Sequence, residues 1–112
     1  MFLIVQGNGD RDVRIAFDVP AGATIHWSGV GFDFGWAGLD ENTAIVKHFY
    51  RTGSAFTDFG TSLSLPSVVR VRGVVINAAT PGNVTLQWSQ RSNGVAPISM
   101  LAGSFLRAGK FE

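Results

Sequence analysis

The sequence predicts one all-β domain spanning residues 1–112, an antiparallel β-sandwich or jelly roll of about seven to eight short strands. Three observations predict it. Apolar residues recur at every second position, as they do on a half-buried strand. Turn-forming residues interrupt these runs about every 8–12 residues, the spacing of small antiparallel folds. No stretch carries a sustained helical stripe with caps.

The elements follow in order. Phe2 to Gln6 is a continuous apolar run, expected as a strand covered on both faces or at an interface through Phe2 and Ile4. In Asp12 to Val19, Val13, Ile15, Phe17 and Val19 alternate with Asp12, Arg14, Ala16 and Asp18, which places Ile15 and Phe17 in the core. Ser67 to Asn77 is long and β-branched. Arg70 and Arg72 share one face and Val69, Val71 and Val75 the other, but Val74 and Ile76 then return apolar residues to the arginine face. A bulge at Gly73 or burial on both sides would explain that. Val84, Leu86 and Trp88 alternate with Thr85, Gln87 and Ser89, so Leu86 and Trp88 are expected to share the inward face and enter the core. Thr24 to Val30, Ala44 to Arg51, Ile98 to Leu101 and Ser104 to Phe111 complete the strands, and Asp40 to His48 has room for one helical turn.

Turns are expected at Gln6 to Asp10, Pro20-Ala21-Gly22, Gly29 to Gly38, Gly53-Ser54, Thr80 to Asn83, Arg91 to Gly94 and Ala102-Gly103. Pro81-Gly82 suits the centre of a type II turn, and Asn93-Gly94 a hairpin.

Composition limits the function. There are no cysteines, which excludes a disulfide scaffold, a thiolate metal site and a cysteine nucleophile. A net charge of +1 leaves no electrostatic footprint for nucleic acid or an anionic membrane. No apolar run approaches the roughly 18 residues of a membrane helix, and the apolar start is too short for a signal peptide. Charged residues make up only 15%, where about 25% is usual. Part of the surface is therefore expected to be buried against other copies or another protein.

Candidate chemistry is sparse. His26 and His48 lack the spacing of paired metal ligands, so no metal and no cofactor are expected. Asp33, Asp40, Glu41 and Asp58 are the only carboxylates open to a glycosidase pair, and their spacing does not mark one. Asn8 to Asp12 lacks the Gly and Glu of a calcium loop, and no Lys-Ser/Thr follows Gly7-Asn8-Gly9 as in a phosphate loop. Asn83-Val84-Thr85 matches a glycosylation sequon with no sign of secretion beside it.

Eight of the thirteen aromatics fall between Trp27 and Phe59. Within this span Phe32, Phe34 and Trp36 sit at alternate positions and would share one face of a strand. A core strand, an inter-subunit contact and a sugar-stacking platform all fit this spacing. A core or subunit contact is favoured, because Asp33 would point away from the rings and Gly35 offers no side chain to grip a hydroxyl.

Three tracts carry a resemblance: Val71-Arg72-Gly73-Val74-Val75-Ile76, Gly82-Asn83-Val84-Thr85-Leu86-Gln87-Trp88-Ser89-Gln90 and Ala102-Gly103-Ser104-Phe105-Leu106-Arg107. Together they are similar to the C-terminal half of a β-rich module found in tailed-phage and prophage virion proteins. Upstream, Asp12 to Phe17, Pro20 to Ala23 and Trp27-Ser28-Gly29 resemble that module's strand, turn and strand. The matches cover about half the chain. Ser89 stands where the module usually has Ala, and Phe105 where it has Tyr. Members carry further strand sequence upstream, so a piece of a longer protein, or a short variant whose sheet is completed by a neighbour, is expected.

The resemblance implies a non-enzymatic virion component, assembled in the host cytoplasm and homo-oligomeric, with a trimer favoured. It would sit on the head as a decoration protein or on the tail or fibre, in contact with other virion proteins. It carries over no catalytic residues. The receptor-binding alternative is a carbohydrate-binding module that takes a host surface glycan on the segment 32–36.

Overall fold

The computed structural model of the chain describes residues 1–7, 12–32, 46–61, 66–91 and 97–110. Among them the secondary structure is all β, in eight strands with no helix: β1 (Phe2–Gln6), β2 (Asp12–Asp18), β3 (Thr24–Phe32), β4 (Val46–Thr52), β5 (Thr57–Gly60), β6 (Ser67–Ile76), β7 (Thr85–Gln90) and β8 (Ser99–Met100). Every pairing is antiparallel. The hydrogen-bonded order is β7-β2-β5-β3-β6-β1-β8, with β4 also beside β3.

β3 is the pivot. β4 and β6 flank it along its length, whereas β5 meets it only where Phe32 pairs with Gly60. A long limb, β4-β3-β6-β1-β8, thus joins a short limb, β5-β2-β7, at one corner. The sheet curls there into a half-barrel that packs like a sandwich. Phe17 on β2 and Trp27 on β3 belong to unpaired strands, yet their rings meet edge to face at 5.1 Å across the interior.

The core follows the alternation. Leu3, Val5, Val13, Ile15, Phe17, Ile25, Trp27, Phe59, Val69, Val71 and Ile98 are buried, which includes Ile15 and Phe17 as expected. Trp27 also meets Phe49 at 5.0 Å, and Phe49 meets Phe59 at 5.1 Å, so one chain of rings ties β2, β3, β4 and β5 together. Each such side chain contributes about 1.5–3 kcal/mol when removed from water.

Glycines make room for these rings. A Cβ at Gly31 would lie 2.5 Å from Phe59, and one at Gly29 2.7 Å from Phe49. One at Gly73 would lie 3.0 Å from the Cβ of Trp27, its partner across the β3–β6 ladder.

Several expectations are corrected. Gly29 to Phe32 is not a turn but the end of β3, because small residues are needed under the rings. β5 was not expected: Thr-Asp-Phe-Gly is short and shows little alternation, and its place is set by pairing with β2. Gly73 carries no bulge, since the β3–β6 register runs unbroken through it, and no second layer among the described residues covers the arginine face. Val74 and Ile76 are simply exposed. Positive φ occurs at Gly22, Gly53 and Gly103, not at Gly82, so Pro81-Gly82 does not form the type II turn. Gly82 instead lies against Pro20, where a Cβ would come within 2.8 Å of its ring. The expected turn at Pro20 does form: the N–H of Ala23 donates to the carbonyl of Pro20 at 2.9 Å, with Gly22 at φ 80°. Val46 to His48 is strand rather than helix, and residues 40–45 lie outside the described residues, as do 8–11 and the hairpin at Asn93-Gly94. Ser104 to Phe111 was expected as a closing strand, but residues 104–110 form none: among the described residues of this stretch Phe105 makes an isolated bridge, to Phe2, and Phe111 lies outside the described residues.

Trp88 needs the largest correction. It lies directly opposite the fully buried Ile15, and Leu86 opposite Phe17, so both face inward as expected. Leu86 is partly buried against the core. Trp88 nevertheless stays 43% exposed, because among the described residues β7 ends the sheet and no strand beyond it covers the ring.

Two stability measurements check this packing. Trp27→Ala should lower the unfolding free energy by about 3–5 kcal/mol in urea denaturation, as removal of a buried aromatic does, whereas Trp88→Ala should cost only about 1 kcal/mol. Gly31→Ala should cost about 1–3 kcal/mol through overpacking against Phe59, while Gly109→Ala, with open space around it, should be neutral.

Candidate functional site

The half-barrel is open on one side, and its opening lies between two unpaired strand edges. One is β7, which pairs only with β2. The other is the second half of β6. β1 covers β6 from Ser67 to Arg70, and the terminal ammonium of Met1 donates to the carbonyl of Val71 at 2.8 Å while the N–H of Val71 donates to that of Met1 at 2.9 Å. Beyond this pair no strand among the described residues pairs with that side. The alternation of an antiparallel strand turns the N–H and C=O of Gly73 and Val75 the same way as those of Val71, towards the open edge.

Between the edges is a cleft of about 860 Å³. Its floor is the core itself, seen through the gap: Phe17, Ile25, Trp27 and Leu86. The indole N–H of Trp27 has no hydrogen-bond partner although the residue is 1% exposed. A buried donor without an acceptor is costly and unusual. The rim is basic: Arg72, Arg107 and Lys110 line it, and none of the described lining residues is acidic. Around the mouth, Val74, Ile76, Val84, Phe105 and Leu106 are 40–58% exposed.

The sequence-predicted candidates are not gathered at this cleft. Phe32 ends β3 half-buried, and Phe34 and Trp36 lie outside the described residues. Phe2 and Ile4 are half-buried under residues 101–105 of the same chain. Phe2 stacks on Phe105 at 5.7 Å, and the N–H of Ile4 donates to the Ser104 hydroxyl at 3.0 Å, which in turn donates to the carbonyl of Leu101 at 2.9 Å. The apolar run at the start of the chain is thus covered on both faces. The open β6 edge was not foreseen. Its signal was the return of Val74 and Ile76 to the arginine face.

Of the candidate titratable groups the structure describes, Asp58 and His26 are engaged elsewhere. Asp58 accepts a bidentate pair from Arg14, at 2.7 and 2.9 Å across the β2–β5 ladder, and Arg91 approaches it at 3.5 Å. The hydrogen bond to Asp58 pushes the Arg14 guanidinium further above its ordinary range, against the opposing effect of desolvation. That guanidinium also lies 3.8 Å from the centre of the Phe56 ring. His26 shares a 2.6 Å hydrogen bond between Nδ1 and the Tyr50 hydroxyl, and His48 is exposed. Asp33, Asp40 and Glu41 lie outside the described residues.

No family model, curated protein or solved structure matches the chain.

The Asp58 cluster joins the strands of the short limb, and Asp58→Asn should therefore lower the melting temperature by several degrees. Asp18→Asn, at the exposed end of β2, should leave it unchanged in the same scan.

Proposed function

We propose that the chain is a non-enzymatic structural module of a tailed-phage particle that works as a homo-oligomer, a trimer in its simplest form, on the head or on the tail or fibre surface. The observation that carries this reading is the uncovered apolar seam. Val74, Ile76, Val84 and Trp88 stand in water beside an open strand edge, on a chain with only 15% charged residues. Burying such a strip against neighbouring subunits stabilises an assembly, and leaving it bare invites edge-to-edge association. The likeness of Val71 to Ile76, Gly82 to Gln90 and Ala102 to Arg107 to virion β-modules points to the particle. A structural role also suits the short limb, where the carboxylate of Asp58 is held by Arg14 and Arg91.

Light scattering at high micromolar concentration should give a species several times the 12.0 kDa chain, and Val74→Lys with Ile76→Lys should reduce its mass. A stable single-chain species would overturn the oligomer. Turnover of a polysaccharide that Asp58→Asn abolishes would overturn the non-enzymatic role.

A further inference from the structure

We propose that the open seam is an acceptor site for an extended, acidic polypeptide strand from another protein, which adds to the free edge of β6 and completes the barrel. This names a partner for the cleft and the free edge of β6, and leaves Val74 and Ile76, on the outer face of β6 with Arg72, to the contact between copies; it rests on the reading of the chain as an assembly module, though not on its homo-oligomeric part.

Three independent features specify the occupant. The edge offers the N–H and C=O of Gly73 and of Val75, a pattern that only another extended backbone answers in full. The floor asks for apolar side chains at alternate positions. Residues directly opposite across a ladder share a face, so a residue opposite Gly73 or Val75 faces Trp27 and Ile25, as Val71 does. The unpartnered indole N–H of Trp27, inside this cleft, waits for an acceptor such as a carbonyl of the incoming strand. The rim sets the charge. Residues between the apolar ones lie on the outer face with Arg72, and Arg107 and Lys110 border the same mouth with no described acid among the lining residues. Acidic side chains at those positions pair with the rim, and basic ones are repelled.

The test uses isothermal titration calorimetry on the whole chain at low salt, with two synthetic eight-residue probes, one alternating valine with glutamate and one alternating valine with lysine. The acidic probe should bind at least tenfold more tightly than the basic one. The triple variant Arg72→Glu, Arg107→Glu, Lys110→Glu should reverse that order. Arg51→Glu, on β4, should leave it unchanged. Trp27→Phe keeps a ring in place and removes the donor; in a variant shown to be folded by its melting curve it should weaken the acidic probe severalfold. Equal affinity for both probes, indifference to the triple variant, or no binding of either probe at millimolar concentration would overturn the proposal. An oligomer that dissolves in the triple variant without added probe would also overturn it, by showing that a second copy fills the seam. Light scattering on the same samples keeps the two readings apart. A single-chain species that binds the acidic probe contradicts the homo-oligomer alone, and an oligomer that ignores the probe contradicts the strand acceptor alone.

Discussion

Trp27 sits where the two limbs of the sheet close on one another, and the fold depends on the space made for its ring. On one side it meets Phe17 of the short limb, and on the other Phe49 of β4, both edge to face. Gly73, its partner on β6, has no Cβ to collide with it, and Gly29 and Gly31 clear the way for Phe49 and Phe59. Aromatic rings in this arrangement are held by area and by ring electrostatics together. Because the interior is close-packed, the glycines are as necessary as the rings. The same arrangement brings the free edges of β7 and of the end of β6 to either side of Trp27, so the packing that closes the core also leaves it open at the seam.

Much of the fold was legible because a two-residue period is a strong signal. The strand expected over Asp12 to Val19, observed as Asp12–Asp18, and the inward faces of Ile15 and Phe17 followed from it directly, and so did the facing of Leu86 and Trp88. Facing is a local property; burial is not. Whether Trp88 is covered depends on whether a strand lies beyond β7, which its own sequence does not state. The glycines at 29 and 31 misled for a related reason. In a strand they mark close approach of another group, and the groups here, Phe49 and Phe59, are distant in sequence. β5 escaped notice because four residues with one large apolar side chain carry little period, and its position comes from Asp58 facing Arg14.

The seam was half legible. Val74 and Ile76 broke the alternation of β6, and neither a bulge nor a second layer accounts for them. Their exposure beside an unpaired edge gives the anomaly a physical meaning: this part of β6 has the composition of a central strand and the position of an edge strand. Natural edges are normally blunted by charge, proline or a bulge. β6 has Arg72 at the start of its open part and then three apolar residues with no such protection. β1, by contrast, is fully engaged, with β6 on one side, β8 on the other and the Leu101 to Phe105 segment across Phe2 and Ile4. β1 is therefore completed on both sides, whereas the end of β6 beyond Val71 has no strand beside it among the described residues.

That open edge is the central claim, and amide hydrogen exchange at Gly73 and Val75 tests it most directly. Val71 is the internal reference, because its N–H is bonded to Met1. In the dilute single chain, Val71 should be protected while Gly73 and Val75 exchange rapidly. In the assembled or partner-bound state all three should be protected alike. Protection of Gly73 and Val75 in the dilute chain, or rapid exchange there in the assembled state, would show that the edge is not the surface on which this protein is completed.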